Sequence, residues 1–270
     1  MNHSGWLRRP DCNIYYEVAG SGPALVFAHG LGGNQLSWWQ QVAHFALRYT
    51  CVTFAHRGFT PSSAVPGGTG PDAYADDLVA LVEELKLDEV RLVAQSMGGW
   101  TCLEYALRNP KKVRALVMAS TSGAIDLRQV KGTGAEAIEE WLRLAPKVIA
   151  DLEARDVSVA SGERMEGEQP ALAMLYRQIA QLTPADFKAA VRGRIFQMRN
   201  QPPELLAKLP MPVLFLTGDE DCLFPSAVGP ALAALAPRGR AVRVPRAGHS
   251  VYFERPAEFN RLVDEFLQTS

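Results

Sequence analysis

The sequence predicts a mainly parallel α/β sheet covered by helices on both faces, with a further block of helices inserted between two of the strands. Three observations lead there. Short apolar segments alternate with amphipathic helical patterns over most of the chain; residues 122–209 break that alternation with helical patterns alone; and a serine, an acidic turn and a histidine each follow directly on one of the short apolar segments.

The elements can be justified in order. Residues 14–18 alternate as a half-buried strand does, and 25–28 and 52–55 are apolar runs of strand length. Residues 74–85 then set Leu78, Leu81, Val82 and Leu85 at helical spacing, and strand-like 90–94 leads into a helical pattern at 101–108. Further strands are expected at 115–119, 213–217 and 241–244, with helices at 227–235 and after Pro256; 66–71 reads as a loop. Between these, helices are expected at 135–151, 171–182 and 184–198, the last opened by Thr183 as a cap with Pro184 in the first turn. Phe187, Val191, Ile195 and Met198 form one apolar face on it. A parallel sheet needs one crossover between neighbouring strands, and three helices in succession exceed it. Residues 122–209 are therefore expected to form a cap over the C-terminal ends of the strands, where open parallel sheets bind ligands, with 1–121 and 210–270 forming the core.

Composition narrows the partners. The 28 Lys and Arg nearly cancel the 29 Asp and Glu, and no basic run or stripe appears, so neither nucleic acid nor an anionic membrane is an expected partner. A small molecule is. Residues 1–10 contain no apolar leader, and no apolar run approaches the ~20 residues of a membrane span, which points to a cytoplasmic protein. Cys12, Cys51, Cys102 and Cys222 are widely spaced without a C-x-x-C pair, and are expected as small core residues. His3, His29, His44, His56 and His249 lack metal-ligand spacing, so neither a metal nor a cofactor is expected.

The chemistry-bearing stretch is Val90-Arg91-Leu92-Val93-Ala94-Gln95-Ser96-Met97-Gly98-Gly99, in which a strand must turn at once into a helix. A serine hydroxyl is a weak nucleophile unless a base takes its proton and the backbone holds it out toward a substrate carbonyl. A sharp strand-turn-helix does this and needs small residues two before and two after the serine; Ala94 and Gly98 stand there. The glycine-rich His29-Gly30-Leu31-Gly32-Gly33 after the earlier strand can present amides to a developing oxyanion, Leu31 and Met97 being the candidate donors. A dinucleotide loop starting at Gly30 would need glycine where Gln35 stands. Acidic turns usually cap helices, and a lone loop histidine is usually structural. Here Asp219-Glu220-Asp221 and Gly248-His249 each follow a strand, so the chain order is serine, acid, histidine, the order of a triad assembled on such a sheet.

With these motifs in register the chain resembles the α/β-hydrolase family, specifically single-domain serine hydrolases with a helical cap, of esterase or enol-lactonase type. The resemblance rests on residues 11–17, His29-Gly30-Leu31-Gly32-Gly33, the turn at Ser96, Gly218-x-x-Asp221-x-x-x-Pro225, Gly248-His249 and Glu254-Arg255-Pro256-Ala257-Glu258-Phe259; it does not extend through the cap. It implies that Ser96 attacks a carbonyl, His249 shuttles the proton, and Asp221, third after Gly218 and four before Pro225, orients the imidazole. Trp38, Trp39, Trp100, Tyr252 and Phe253 adjoin these motifs and are either pocket lining or ordinary packing aromatics. Cap residues such as Met174 and Phe196 are expected to decide substrate choice and not chemistry. The chain departs from the family's D-x-R-G-x-G-x-S at Ala55 and Thr60, which affects a structural loop.

The leading expectation is hydrolysis of a small carboxylic ester or lactone. Hydrolysis of a carbon-carbon bond in a ring-fission product is the alternative within enzymes; it would use a cation such as Arg192, Arg194 or Arg199. The elbow and histidine sequences of those enzymes, N-S-M-G-G and G-H-W, differ from this chain at Gln95 and Ser250. A ligand receptor built on the same fold is the alternative outside them, and cofactor-free peroxidation a conceivable side activity.

Overall fold

The computed structural model describes residues 2–63, 67, 68 and 70–270, so the predicted loop at 66–71 falls partly outside the described residues. The strands are β1 (His3–Arg9), β2 (Cys12–Gly20), β3 (Ala24–Ala28), β4 (Thr50–Phe54), β5 (Val90–Gln95), β6 (Val113–Ala119), β7 (Val213–Gly218) and β8 (Gly239–Val244). They form one sheet in the order β1-β2-β4-β3-β5-β6-β7-β8. The β1/β2 and β2/β4 pairs are antiparallel and the others parallel.

Alternation along each strand divides the core between two faces. Leu25, Phe27, Val93, Val117 and Leu214 pack on one face under α1 (Trp39–Phe45) and a C-terminal helix, Pro256–Gln268, which supplies Phe259, Val263 and Phe266. Val26, Leu92, Leu116 and Phe215 pack on the other, under α2 (Tyr74–Glu84) and α3 (Gly98–Arg108). Both faces are dry. The inserted block contributes α4 (Thr133–Ala154), α5 (Gly162–Glu168), α6 (Pro170–Gln181) and α7 (Ala185–Met198), followed after β7 by α8 (Gly229–Leu235), and after β8 by α9 (Val251–Glu254) and α10, the Pro256–Gln268 helix.

Every expected strand and helix is present, with differences that have local causes. β1 escapes the pattern because it is an edge strand with a single well-buried apolar side chain, Leu7, while Trp6 is 52% exposed. α1, α5 and α9 are too short to show a helical period. α3 begins at Gly98 and not at residue 101, two glycines being its opening turn. At α7, Pro184 stands outside the helix with ψ 143, and the Thr183 hydroxyl accepts from the Thr60 amide (3.1 Å) in place of capping. Val191 and Ile195 are buried as expected, packed with Phe187 and Met198 against Phe59, Met97 and Trp100.

All four cysteines are buried and unpaired; burial pushes the Cys51 thiol up to about 12. No helix among the described residues is long and apolar enough to cross a membrane.

The loop after β4 is fixed by a buried cation. The Arg57 guanidinium donates to both carboxylate oxygens of Asp77 on α2 (2.7 and 2.6 Å) and to Asp11 (2.7 Å), while Arg9 donates to the same Asp77 (3.0 Å). Ser62 accepts from the Tyr15 amide (2.8 Å) and donates to the Ala55 carbonyl (2.7 Å), so the loop is anchored at its far end although it lacks the family's aspartate and second glycine. Removing one partner of a buried bidentate pair strands the other charge, at a cost of about 3–5 kcal/mol. Asp77→Ala is therefore expected to lower the unfolding free energy by that amount, measured by urea denaturation, whereas Asp76→Ala, whose carboxylate lies on the exposed face, is expected to cost under ~1 kcal/mol.

Candidate active site

Ser96 closes β5 with φ 47, in the left-handed region that non-glycine residues enter at a cost of about 1–3 kcal/mol. The strain is held from both sides. Its amide donates to the Ala119 carbonyl of β6 (2.9 Å) and its carbonyl accepts from the Gly99 amide (2.9 Å). The helix that follows lies so close to the sheet that a Cβ on Gly98 would collide with the Ala28 carbonyl of β3. The Gly30 loop is equally tight: a Cβ there would collide with Gln95 Oε1 and lie 3.2 Å from the Ser96 Cβ. Among the described residues, neither the Leu31 nor the Met97 amide has a protein acceptor.

Asp221 and His249 meet in the loops after β7 and β8. His249 Nδ1 faces both carboxylate oxygens at 3.0 and 2.9 Å, and Asp221 Oδ1 also accepts from the Leu223 (2.8 Å) and Phe224 (2.9 Å) amides. A carboxylate offers only acceptors, so Nδ1 carries the proton and Nε2 is left as the basic nitrogen. Both side chains are buried. The neighbouring acids are occupied elsewhere: Asp219 pairs with Arg243 (2.9 Å) and Glu220 with Arg164 (2.7 Å), both on the surface. Gln95, one residue before the serine, donates to the His249 carbonyl (3.3 Å) and so ties the turn at Ser96 to the histidine loop.

The five aromatics divide. Trp38, Tyr252 and Phe253 are wholly buried in the core under α1 and α10, with Trp38 stacked 4.5 Å from Tyr252; they are packing residues. Trp39 projects to the surface from α1, 46% exposed, because the helix turns it away from its buried neighbour. Trp100 alone joins Met97 in the cluster beneath α7. Met174 and Phe196 also face outward, 56% and 58% exposed, and the inward positions of the insertion are Val191 and Ile195. Of the three candidate cations, Arg192 is exposed, Arg194 is paired with Asp72, and Arg199 lies over the Trp100 ring, 4.9 Å from its centroid.

Sequence reasoning missed several groups behind these loops. His29 Nδ1 donates to the Gly30 carbonyl (2.7 Å); its Nε2 accepts from the His56 amide and from His56 Nδ1 (3.0 Å each); and His56 Nε2 accepts from Thr101 (2.8 Å). The chain of bonds joins the Gly30 loop, the loop after β4 and α3. Its signal was two histidines each directly after a strand, read only for metal spacing. The inserted helices also reach the same loops, Trp141 donating to the Asp221 carbonyl (3.3 Å) and the Tyr176 and Ser250 hydroxyls bonding at 2.8 Å. Among the described residues no cluster of His, Cys, Asp and Glu is placed to hold a metal.

Residues 23–256 match the sequence profile of the alpha/beta hydrolase fold, and the chain belongs to that family. A Mycobacterium tuberculosis protein provisionally named as the non-heme bromoperoxidase BpoC is 29% identical over 266 residues, covering 94% of this chain and 97% of its own. Among solved structures, a thermophilic esterase from Thermogutta terrifontis superposes with a TM-score of 0.76 at 23% identity, covering 100% of this chain and 98% of that one. The enol-lactonase from Burkholderia xenovorans LB400 superposes at 0.75 with 20% identity, covering 98% and 100%.

Burial holds His29 well below the ordinary imidazole range, at about 4, and lowers His56 as well. Between about 4 and 6.5 the unfolded chain therefore binds a proton that folded His29 refuses, so its contribution to stability is complete above 6.5 and is lost as pH falls through this window. Glu254, raised to about 7, titrates in the opposite sense, so a comparison between variants isolates the histidine. The destabilisation caused by His29→Gln, measured by urea unfolding, is expected to shrink between pH 7.5 and pH 5; an unchanged difference would refute the buried neutral imidazole.

Proposed function

We propose that the protein is a serine hydrolase of small carboxylic esters or lactones, with Ser96 as nucleophile, His249 as base and Asp221 as the acid behind it. The observation that carries this reading is the Asp221–His249 pair, with Asp221 fixed by two amides and His249 on a loop tied through Gln95 to a serine in strained left-handed backbone. In the proposed reaction Ser96 Oγ adds to the carbonyl carbon as His249 Nε2 takes its proton, and the Leu31 and Met97 amides receive the oxyanion. Collapse expels the alcohol, protonated by His249, and leaves an acyl group on Ser96. Water, deprotonated by His249, then releases the acid. Residues 122–209 serve as the cap, and no cofactor takes part.

The esterase and enol-lactonase titles of structural neighbours support this chemistry by analogy. One observation favours a second reading. The Arg199 guanidinium beside Trp100 has a buried Nε without a partner among the described residues, and carbon-carbon bond hydrolysis of a ring-fission acid would call on such a cation. The bromoperoxidase name of the Mycobacterium relative makes peroxidation a side activity worth assaying.

Purified protein should be offered short-chain aryl esters, an enol-lactone and a vinylogous diketone acid in parallel. Turnover is expected on esters or lactones. A specificity constant for the diketone far above both would replace this reading with the second, and inactivity on all three would favour a receptor. Ser96→Ala is expected to remain folded and lose on the order of 10⁶ in kcat. Asp221→Asn is expected to lose roughly 10⁴, as amide substitution does in triads of this kind, while Asp219→Asn loses little; the reverse ranking would move the acid.

Substrate choice is expected to depend on the inward face of α7. Ile195→Ala and Val191→Ala should shift relative kcat/KM among acyl chain lengths by about 1–3 kcal/mol, the usual worth of pocket methylenes, and Met174→Ala, on the outer surface, should not.

A further inference from the structure

A second buried carboxylate lies under the histidine loop. Glu254 is 1% exposed; its Oε2 accepts from the Gly248 amide (2.7 Å) and its Oε1 from the Ser250 amide (2.9 Å). The two amides that bracket His249 are thus held by the two oxygens of one side chain. No cation pairs with it among the described residues. Arg255, the next residue, turns outward to the Arg246 carbonyl and to Glu168. The titratable groups near it are Asp221 and Cys222 in the acid loop, His249, Tyr176 on α6 and Tyr252 on α9.

Only a carboxylate suits this position. Two converging N–H donors require an acceptor on each oxygen; an amide side chain would present its own N–H to one of them, and a protonated acid would offer one of them only the weaker acceptor of a neutral hydroxyl oxygen. The surroundings reinforce the same loop from the cap side. Gln169 donates to the Glu254 carbonyl (2.8 Å), the Tyr176 hydroxyl meets that of Ser250, and a Cβ on Gly248 would lie 3.3 Å from Gly162 Cα at the start of α5.

We propose that Glu254 is a positioning residue for the base: ionised, it clamps the amides on both sides of His249 and so sets the imidazole against Asp221, and taking up a proton opens one side of the clamp. The inference rests on the hydrolase reading above for its kinetic consequence, but the clamp itself does not. Burial pushes the Glu254 carboxyl up to about 7, partly opposed by the two amide bonds, so the clamp loosens as pH falls through neutrality. The acid limb of the reaction should therefore contain two ionisations.

The test compares wild type with Glu254→Gln and Glu254→Asp on an aryl ester from pH 5.5 to 9, alongside the rate of Ser96 labelling by a fluorophosphonate. Wild-type kcat is expected to fall on the acid side more steeply than one proton allows. Glu254→Gln should reduce kcat and the labelling rate at least tenfold at pH 8, leave KM within about twofold, and show a single-proton acid limb; Glu254→Asp, which keeps two acceptor oxygens, should recover part of the rate. A folded Glu254→Gln protein with the wild-type rate and limb would overturn the proposal. So would a wild-type limb that follows one ionisation, a result that does not depend on any variant folding. If no ester is turned over and Ser96 is not labelled, the hydrolase reading fails separately. The clamp is then judged by the downfield Nδ1 proton resonance of His249 in wild type alone: a shift titrating near pH 7 in addition to the imidazole's own supports it, and a single titration refutes it.

Discussion

The left-handed turn at Ser96 is the constraint on which the rest of the site depends. A parallel strand bounded on both sides, by β3 and β6, can reverse into a helix within two residues only if the helix end drops onto the neighbouring backbone. That requires small residues at contact: Ala94 lies opposite Ala28 in the sheet, and Gly98 meets the Ala28 carbonyl. The same closeness brings the Gly30 loop against the serine. Side chains at these positions would push the loop away and, with it, the Leu31 amide.

Three buried carboxylates show how differently one fold can satisfy the same group. Asp77 faces two guanidinium groups, so its desolvation is offset by charge, and it anchors a loop. Asp221 faces two amides and an imidazole, which together fix the direction of the carboxylate. Glu254 faces two amides and no cation; the hydrogen bonds favour its ionised form, burial opposes it, and burial is the larger effect. Its surroundings allow a proton near neutrality. Partner type, more than depth, separates an anchor from a titrating group.

The fold was legible because both of its signals are local. Short, largely apolar segments such as 25–28 and 90–94, too short for helices and each leading into a glycine-containing turn, read as buried strands, and the serine turn needs small residues within two positions of itself. Asp221 could be singled out as the candidate acid through the spacing to Gly218 and Pro225 that the family resemblance carries, although Asp219 and Glu220 have the same chemistry; their surface pairing with Arg243 and Arg164 is a tertiary fact. The aromatics could not be sorted from sequence for the same reason. Trp38 and Trp39 are adjacent in sequence, yet one is core and the other surface, because a helix turns successive side chains by about 100° and the sequence does not say which direction faces the sheet. The His29–His56–Thr101 chain joins three separate segments, and no spacing rule could have assembled it. Met174 and Phe196 stand on the outer faces of their helices, an orientation that apolar character by itself does not give.

The insertion cannot be a passive cover. It leaves the sheet after β6 and returns at β7, so its helices must pass the loops that carry the acid and the histidine, and they bond to both: Trp141 to the Asp221 carbonyl, Gln169 to the Glu254 carbonyl, Tyr176 to Ser250. A rim of ion pairs, Glu168 with Arg246 and Arg255 and Glu220 with Arg164, adds contacts that are exposed and individually weak. The strong fixings are the buried polar ones. The insertion thus packs Val191 and Ile195 of α7 against Met97 and Trp100 beside the serine turn, while other parts of it bond to the loops that carry Asp221 and His249. Of the inserted helices, α6 meets the histidine loop through Tyr176, so a displacement of α6 would be felt at Ser250, next to His249.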